Sequence, residues 1–163
     1  MAGLKAMTAT SGPGISLYSE QISFAIGSEI PLVVVNVQRL GPSTGSASKG
    51  ADGDIQFLRW GNSGGLPVIV LKSCRVKDCL VLTMHAFNLA EKYQTPVIIM
   101  TDAFLANSYR TIDKDSLNFN SIKIDRGSFL TDTDLDQLKT EYKRHEFTNN
   151  GISPRAIPGH PNA

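Results

Sequence analysis

Cysteine is scarce in this chain of 163 residues, with only Cys74 and Cys79 present. Their spacing places them on one predicted helix, poorly set for a disulfide. Two thiolates also fall short of the four ligands taken by a structural zinc or an iron–sulfur cluster. They read as partly buried thiols. No His/Cys/Asp cluster has metal-ligand spacing, so no metal site is expected in the chain. Charge of one sign is also lacking. A net charge of +1 gives neither nucleic acid nor an anionic membrane a reason to bind. Long apolar runs are missing. The longest, Ile30-Pro-Leu-Val-Val-Val, is far shorter than the roughly 20 residues that span a bilayer. The first residues carry neither the basic stretch nor the apolar core of a secretory leader. A cytoplasmic protein is the expectation.

What is present is globular. Hydrophobic residues make up 41% and charged residues 19%, enough for one compact domain. Residues 6–10 form a predicted strand, stopped by Ser11-Gly12-Pro13-Gly14. Apolar residues at 15, 18, 22, 25 and 26 give residues 15–26 a helical stripe. Residues 31–37 are a β-branched run, as in a strand buried on both faces of a parallel sheet. A long polar loop, 39–54, follows, then a short helix over 54–60 and a turn at Asn62-Ser-Gly-Gly. Residues 67–72 read as another buried strand. Ser73 is the expected N-cap of a helix over 75–93. Residues 96–101 are a further strand, and Asp102 at its end either contacts a ligand or caps the short helix that runs to 107.

This alternation predicts a doubly wound, mainly parallel α/β sheet flanked by helices. The α/β core spans residues 1–109. Residues 110–163 are irregular and end in a proline-rich stretch. They are expected to wrap over a neighbour or lead into another domain, with at most a short helix within 134–144. No internal repeat is visible. The chain opens directly on a buried-type strand. That suggests a fragment, a mis-called start, or a subunit completed by a partner.

Two loops carry the chemistry. Residues 8–14 read Thr-Ala-Thr-Ser-Gly-Pro-Gly, and residues 38–45 read Gln-Arg-Leu-Gly-Pro-Ser-Thr-Gly. Each follows a predicted strand, where open α/β sheets bind ligands. Gly12 and Gly14 permit close approach, and Pro13 stiffens the turn. Ser11 could equally be a plain helix cap. Arg39 sits at a strand tip, where its guanidinium can grip a carboxylate bidentately. The alternative is a surface salt bridge. Neither loop has the lysine of a P-loop or the spacing of a dinucleotide fingerprint.

These paired motifs resemble the pyrimidine-binding domain of the α subunit of 2-oxoacid:ferredoxin oxidoreductases, the 2-oxoglutarate branch in particular. The likeness extends through Glu29-Ile-Pro-Leu-Val-Val-Val, Gly53-Asp54, Pro67-Val-Ile-Val, Ala86-Phe-Asn-Leu-Ala-Glu, residues 96–102, Ile152-Ser-Pro-Arg and Ile157-Pro-Gly. It implies the thiamine-diphosphate-binding fold and a hetero-oligomeric enzyme. Such an enzyme oxidatively decarboxylates a 2-oxoacid, forms an acyl-CoA from coenzyme A, and passes electrons to ferredoxin. Thiamine diphosphate would be shared with a β subunit that holds its diphosphate and magnesium. Iron–sulfur clusters would lie on partner chains.

By the same resemblance Thr10, Ser11, Gly12, Pro13 and Gly14 lie near the pyrimidine end of the cofactor. Arg39 contacts the 2-oxoacid carboxylate. Ser43 and Thr44 line the entrance for substrate or coenzyme A. Ser48 keeps the hydroxyl of a threonine that the family places near the substrate, and Asp52 stands where many members have glutamine. The family's glutamate for the pyrimidine N1′ lies upstream of Thr8, before residue 1. Glu20 and Glu29 therefore take no such role, and no catalytic residue is expected in the chain. A catalytically incomplete assembly module for a β subunit is the alternative. His85 is expected to be a packing or interface residue.

Overall fold

The computed structural model describes residues 2–163. The core elements are β1 (Met7–Ser11), α1 (Gly12–Leu17), α2 (Ser19–Gly27), β2 (Leu32–Gln38), α3 (Ile55–Trp60), β3 (Ile69–Lys72), α4 (Val76–Tyr93), β4 (Pro96–Asp102) and α5 (Ala103–Ala106). A further short helix, α6, spans Asp132–Asp136. The four strands form one parallel sheet in the order β1-β2-β4-β3. Among the described residues no helix is long and apolar enough to cross a membrane.

The order reverses direction once. β1 to β2 and β2 to β3 step one way, and β3 to β4 steps back. With right-handed crossovers, α1–α3 fall on one face and α4 on the other. The strand residues divide accordingly, because side chains alternate along a strand. Val34, Ile98 and Met100 pack with Ile15, Ile22 and Leu58 from α1–α3. Val33, Val97 and Ile99 pack with Ala86 and Ala90 of α4. The small alanines let α4 lie close on the sheet.

Four details depart from the sequence reading. The stripe over 15–26 is two helices broken at Tyr18, whose N–H donates to Ile15 O three residues back (3.0 Å). The Ser19 hydroxyl, just past the break, donates to the Gly61 carbonyl. β3 is an edge strand and only half-buried, since β4 inserts between it and β2. The N-cap of α4 is Arg75, whose backbone N–H and guanidinium donate to the Asp78 carboxylate (3.0 and 2.9 Å), whereas Ser73 is fully buried two residues earlier. Cys74 thus precedes the helix and is exposed, while Cys79 is half-buried. His85 is exposed on α4.

Residues 110–163 hold little regular structure, yet they are pinned to their own chain. Glu91, on the last turns of α4, is 3% exposed and pairs with Arg126 (3.2 Å), Lys5 (3.8 Å) and Arg155. Arg155 also exchanges backbone hydrogen bonds with Ser128 and Leu130 (2.8 Å each). Arg144 donates to the Glu29 carboxylate (2.8 Å) and to its carbonyl (2.7 Å). Burial lowers the pKa of both Lys5 and Arg155, against the raising pull of Glu91. Gly127 passes so close to α4 that a Cβ there would lie 2.7 Å from the Glu91 carbonyl, and its φ is +60.

Candidate functional site at the carboxyl edge of the sheet

Parallel strands end together. Ser11, Gln38, Asp102 and Lys72 therefore line one edge of the sheet, and both motif loops leave from it. Asp102 accepts the Leu105 N–H (2.8 Å) and caps α5, as its position suggested.

The first loop turns at once into α1. Ser11 occupies the N-cap position with extended backbone, but its side chain makes no capping bond. Gly14 lies directly against Thr10, where an added Cβ would fall 1.8 Å from the threonine hydroxyl oxygen. No residue larger than glycine fits without moving Thr10. Gly12 faces the Asp54 carboxylate, with both oxygens 3.5 Å from the position of a Cβ.

The second loop is exposed from residue 40 to 50 and closed at its base. Leu40 N–H donates to Lys49 O (2.7 Å), and Lys49 N–H donates to Ser46 O (2.9 Å). The Gln38 amide donates to Asp52 (2.9 Å) and accepts the Asp54 N–H (3.2 Å). Asn36 donates to the Asp54 carboxylate (3.0 Å), and Lys72 reaches Asp52 (3.3 Å). Ser43 and Ser46 hold φ of 51 and 55, which lets the loop double back over Arg39. That guanidinium donates to the carbonyls of Leu40 (2.9 Å) and Ser43 (2.6 Å). It forms no ion pair with a carboxylate among the described residues. A permanently charged fork held only by neutral carbonyls is suited to accept an anionic ligand.

The structure thus brings Gly12 of the first loop against the base of the second, with Asp54 between them. Ser43, Thr44 and Ser48 stand on the exposed outer part of the second loop, and no hydrogen bond links them to residues 10–14 among the described residues. Glu20 is exposed on α2, and Glu29 is engaged by Arg144 away from this edge. No group of three or more His, Cys, Asp or Glu side chains able to hold a metal occurs among the described residues. Asn36, Gln38 and Asp54 had no role in the sequence reading. Their signal was present: two amides, two residues apart, in an otherwise apolar strand must find polar partners when buried.

Comparison with known proteins agrees in one direction. The family model described as "Pyruvate flavodoxin/ferredoxin oxidoreductase, thiamine diP-bdg" matches residues 1–145. The chain is 42% identical over 159 residues to 2-oxoacid:ferredoxin oxidoreductase 1, subunit alpha, of Sulfurisphaera tokodaii, covering 98% of this chain and 25% of that protein. It is 50% identical over 105 residues to 2-oxoglutarate synthase subunit KorA of Methanocaldococcus jannaschii, covering 64% of this chain and 29% of that protein. The fold superposes with a TM-score of 0.83 and 43% identity on 2-oxoglutarate:ferredoxin oxidoreductase from Magnetococcus marinus with 2-oxoglutarate, coenzyme A and succinyl-CoA bound. That match covers 99% of this chain and 27% of the other. The chain spans about a quarter of the length of these relatives.

Proposed function

The chain belongs to the thiamine-diphosphate-binding family of pyruvate flavodoxin/ferredoxin oxidoreductases, and from that premise we propose that it forms the pyrimidine-side wall of a 2-oxoacid:ferredoxin oxidoreductase active site. The reaction is oxidative decarboxylation of a 2-oxoacid, with 2-oxoglutarate favoured, to its acyl-CoA, with electrons leaving to ferredoxin. The names of the relatives and the ligands of the solved neighbour support that substrate class. The observation that carries the proposal is Arg39, free of any carboxylate partner and placed beside the point where the two motif loops meet.

Residues 8–14 contain no cationic side chain, so they fit the uncharged pyrimidine end of the cofactor and not its diphosphate. The close packing of Gly14 on Thr10 gives that end a shaped wall, and the Asp54 carboxylate faces Gly12 beside it. When bound, thiamine diphosphate supplies the nucleophilic carbon and the electron sink for breaking the bond to the carboxylate. Arg39 binds and orients the 2-oxoacid through its carboxylate. Ser43, Thr44 and Ser48 border the entrance used by the 2-oxoacid and coenzyme A. Thr10, Ser11 and Pro13 complete the cofactor wall.

In this reading residues 1–109 are the pyrimidine-binding core and 110–163 the segment that straps it. A β subunit holds the diphosphate and magnesium, iron–sulfur clusters sit on partner chains, and the assembly works in the cytoplasm. The test is Arg39→Lys in the complete enzyme. Loss of the planar fork is expected to raise KM for the 2-oxoacid by about tenfold or more, the scale of a lost charge-assisted bond. An unchanged KM overturns the role given to Arg39.

A further inference from the structure

We propose that Gln38 and Asn36 are positioning residues of the 2-oxoacid site, setting the arginine-bearing loop through Asp52 and Asp54. The inference rests on the role proposed for Arg39. Both amides are fully buried at the end of β2, next to a core strand otherwise built of Leu and Val. Such positions stabilise a fold best when apolar, and a buried amide is costly unless bonded. Asn36 bears part of that cost unrelieved, since its Oδ1 has no partner.

The bonds the amides do make all serve one end. Gln38 directly precedes Arg39, and its side chain takes both Asp52 and the Asp54 N–H from the returning end of the loop. One residue thus joins the two ends of an exposed excursion whose ordering is entropically costly. Asn36 fixes the Asp54 carboxylate (3.0 Å), and that carboxylate faces Gly12, with both oxygens 3.5 Å from where a Cβ would lie. The amides beneath the loops therefore hold the carboxylate that lies between the cofactor loop and the base of the arginine loop. A guanidinium can bind a carboxylate bidentately only if its backbone is held, and small misplacements at such a site cost large factors.

The test uses the complete enzyme and steady-state kinetics. Gln38→Glu keeps the shape and the acceptor but turns the donor to Asp52 into a repelling carboxylate. Asn36→Asp does the same to Asp54. Each is expected to raise KM for the 2-oxoacid by about tenfold with little change in KM for coenzyme A. The exchanged pair N36D/D54N restores one donor facing one acceptor and should return KM to within about twofold of the parent. On an Arg39→Lys background, Gln38→Glu should add less than about twofold, because both act through one contact. If Gln38→Glu does not fold, Asp52→Ala, on an exposed side chain, serves the same comparison. Raised KM in R39K with parental KM in Q38E, N36D and D52A overturns the positioning role alone. Full additivity of Q38E with R39K also overturns it. Unchanged KM in R39K overturns both proposals.

Discussion

Residues 39–54 and 123–163 are both irregular, and they are held in different ways at opposite edges of the sheet. The first leaves the carboxyl edge and is clasped at its ends by the neutral amides of Asn36 and Gln38. Between those points it is exposed. The second packs where the strands begin. It is fixed along its length by ion pairs, to Glu91 at the end of α4 and to Glu29 just before β2. Amide-to-carboxylate bonds at the loop's base, with the exposed Lys72–Asp52 pair beside them, leave the Arg39 guanidinium without a carboxylate partner among the described residues. Buried charges spread over a segment commit its side chains to the fold. The same chain thus leaves Arg39 unpaired with any carboxylate among the described residues at one edge and buries its paired charge at the other.

The largest effect should come from breaking the structural edge. Glu91→Ala leaves Arg155 buried without its counter-ion and loosens Arg126 and Lys5 at once. Removing one partner of a buried pair costs about 3–5 kcal/mol, which urea unfolding of the complete protein would report. KM for the 2-oxoacid in the folded fraction should stay parental, since none of these groups reaches the carboxyl edge. A loss below about 1 kcal/mol would mean that the strap is held mainly by its backbone pairing at Ser128 and Leu130.

A smaller effect should follow at the other edge from Gly14→Ala. Its new methyl would lie 1.8 Å from the Thr10 hydroxyl oxygen. Overpacking of this kind costs about 1–3 kcal/mol. The added substitution Thr10→Ala removes the clashing atom and should recover part of that loss in the same unfolding assay. No recovery would show that the loop backbone, and not Thr10, sets the limit. Cofactor affinity should fall in both variants, in contrast to Glu91→Ala.

The two edges were unequally legible in the sequence. The carboxyl edge could be read because its determinants are local. Glycine, proline and hydroxyl residues sit directly after β-branched runs, and Arg39 sits next to its own strand. The buried amides were visible as polar breaks in β2, but their partners lie 14 to 18 residues on and no local pattern announces them. The half-buried edge placement of β3 could not be read from 67–72, because it depends on β4 returning to the middle of the sheet. Just past the break at Tyr18 the Ser19 hydroxyl reaches the Gly61 carbonyl, a partner 42 residues away. Least legible was Glu91. On α4 it resembles any solvated helix charge, and only partners distant in sequence, Arg126 and Arg155 35 and 64 residues later and Lys5 near the start, make it a buried hub. Residues 110–163 read as an irregular segment for the same reason: their order comes from non-local ions and not from periodicity.

The smallest expected effect tests whether that strap has any local determinant of its own. At the start of α6, Asp134 accepts the Thr131 N–H (2.8 Å) and hydroxyl (2.6 Å), while Thr131 accepts the Asp134 N–H (3.3 Å). The hydrogen bonds from Thr131 hold the Asp134 carboxyl below its ordinary value. A carboxyl depressed in the folded state takes its proton in the unfolded chain first as pH falls. Its contribution is therefore complete above the ordinary carboxylate range and is lost as pH drops through the depressed value. Asp134→Asn should lower Tm slightly at neutral pH, and the gap from the parent should close below about pH 4. The helix it caps buries Leu135 almost completely, so fraying there would loosen the strap near Asn162, which donates to Leu135 O (3.4 Å), without moving Arg39. A gap that persists unchanged in acid would mean the cap works as a neutral hydrogen bond. A raised KM for the 2-oxoacid in this variant would break the separation between the two edges.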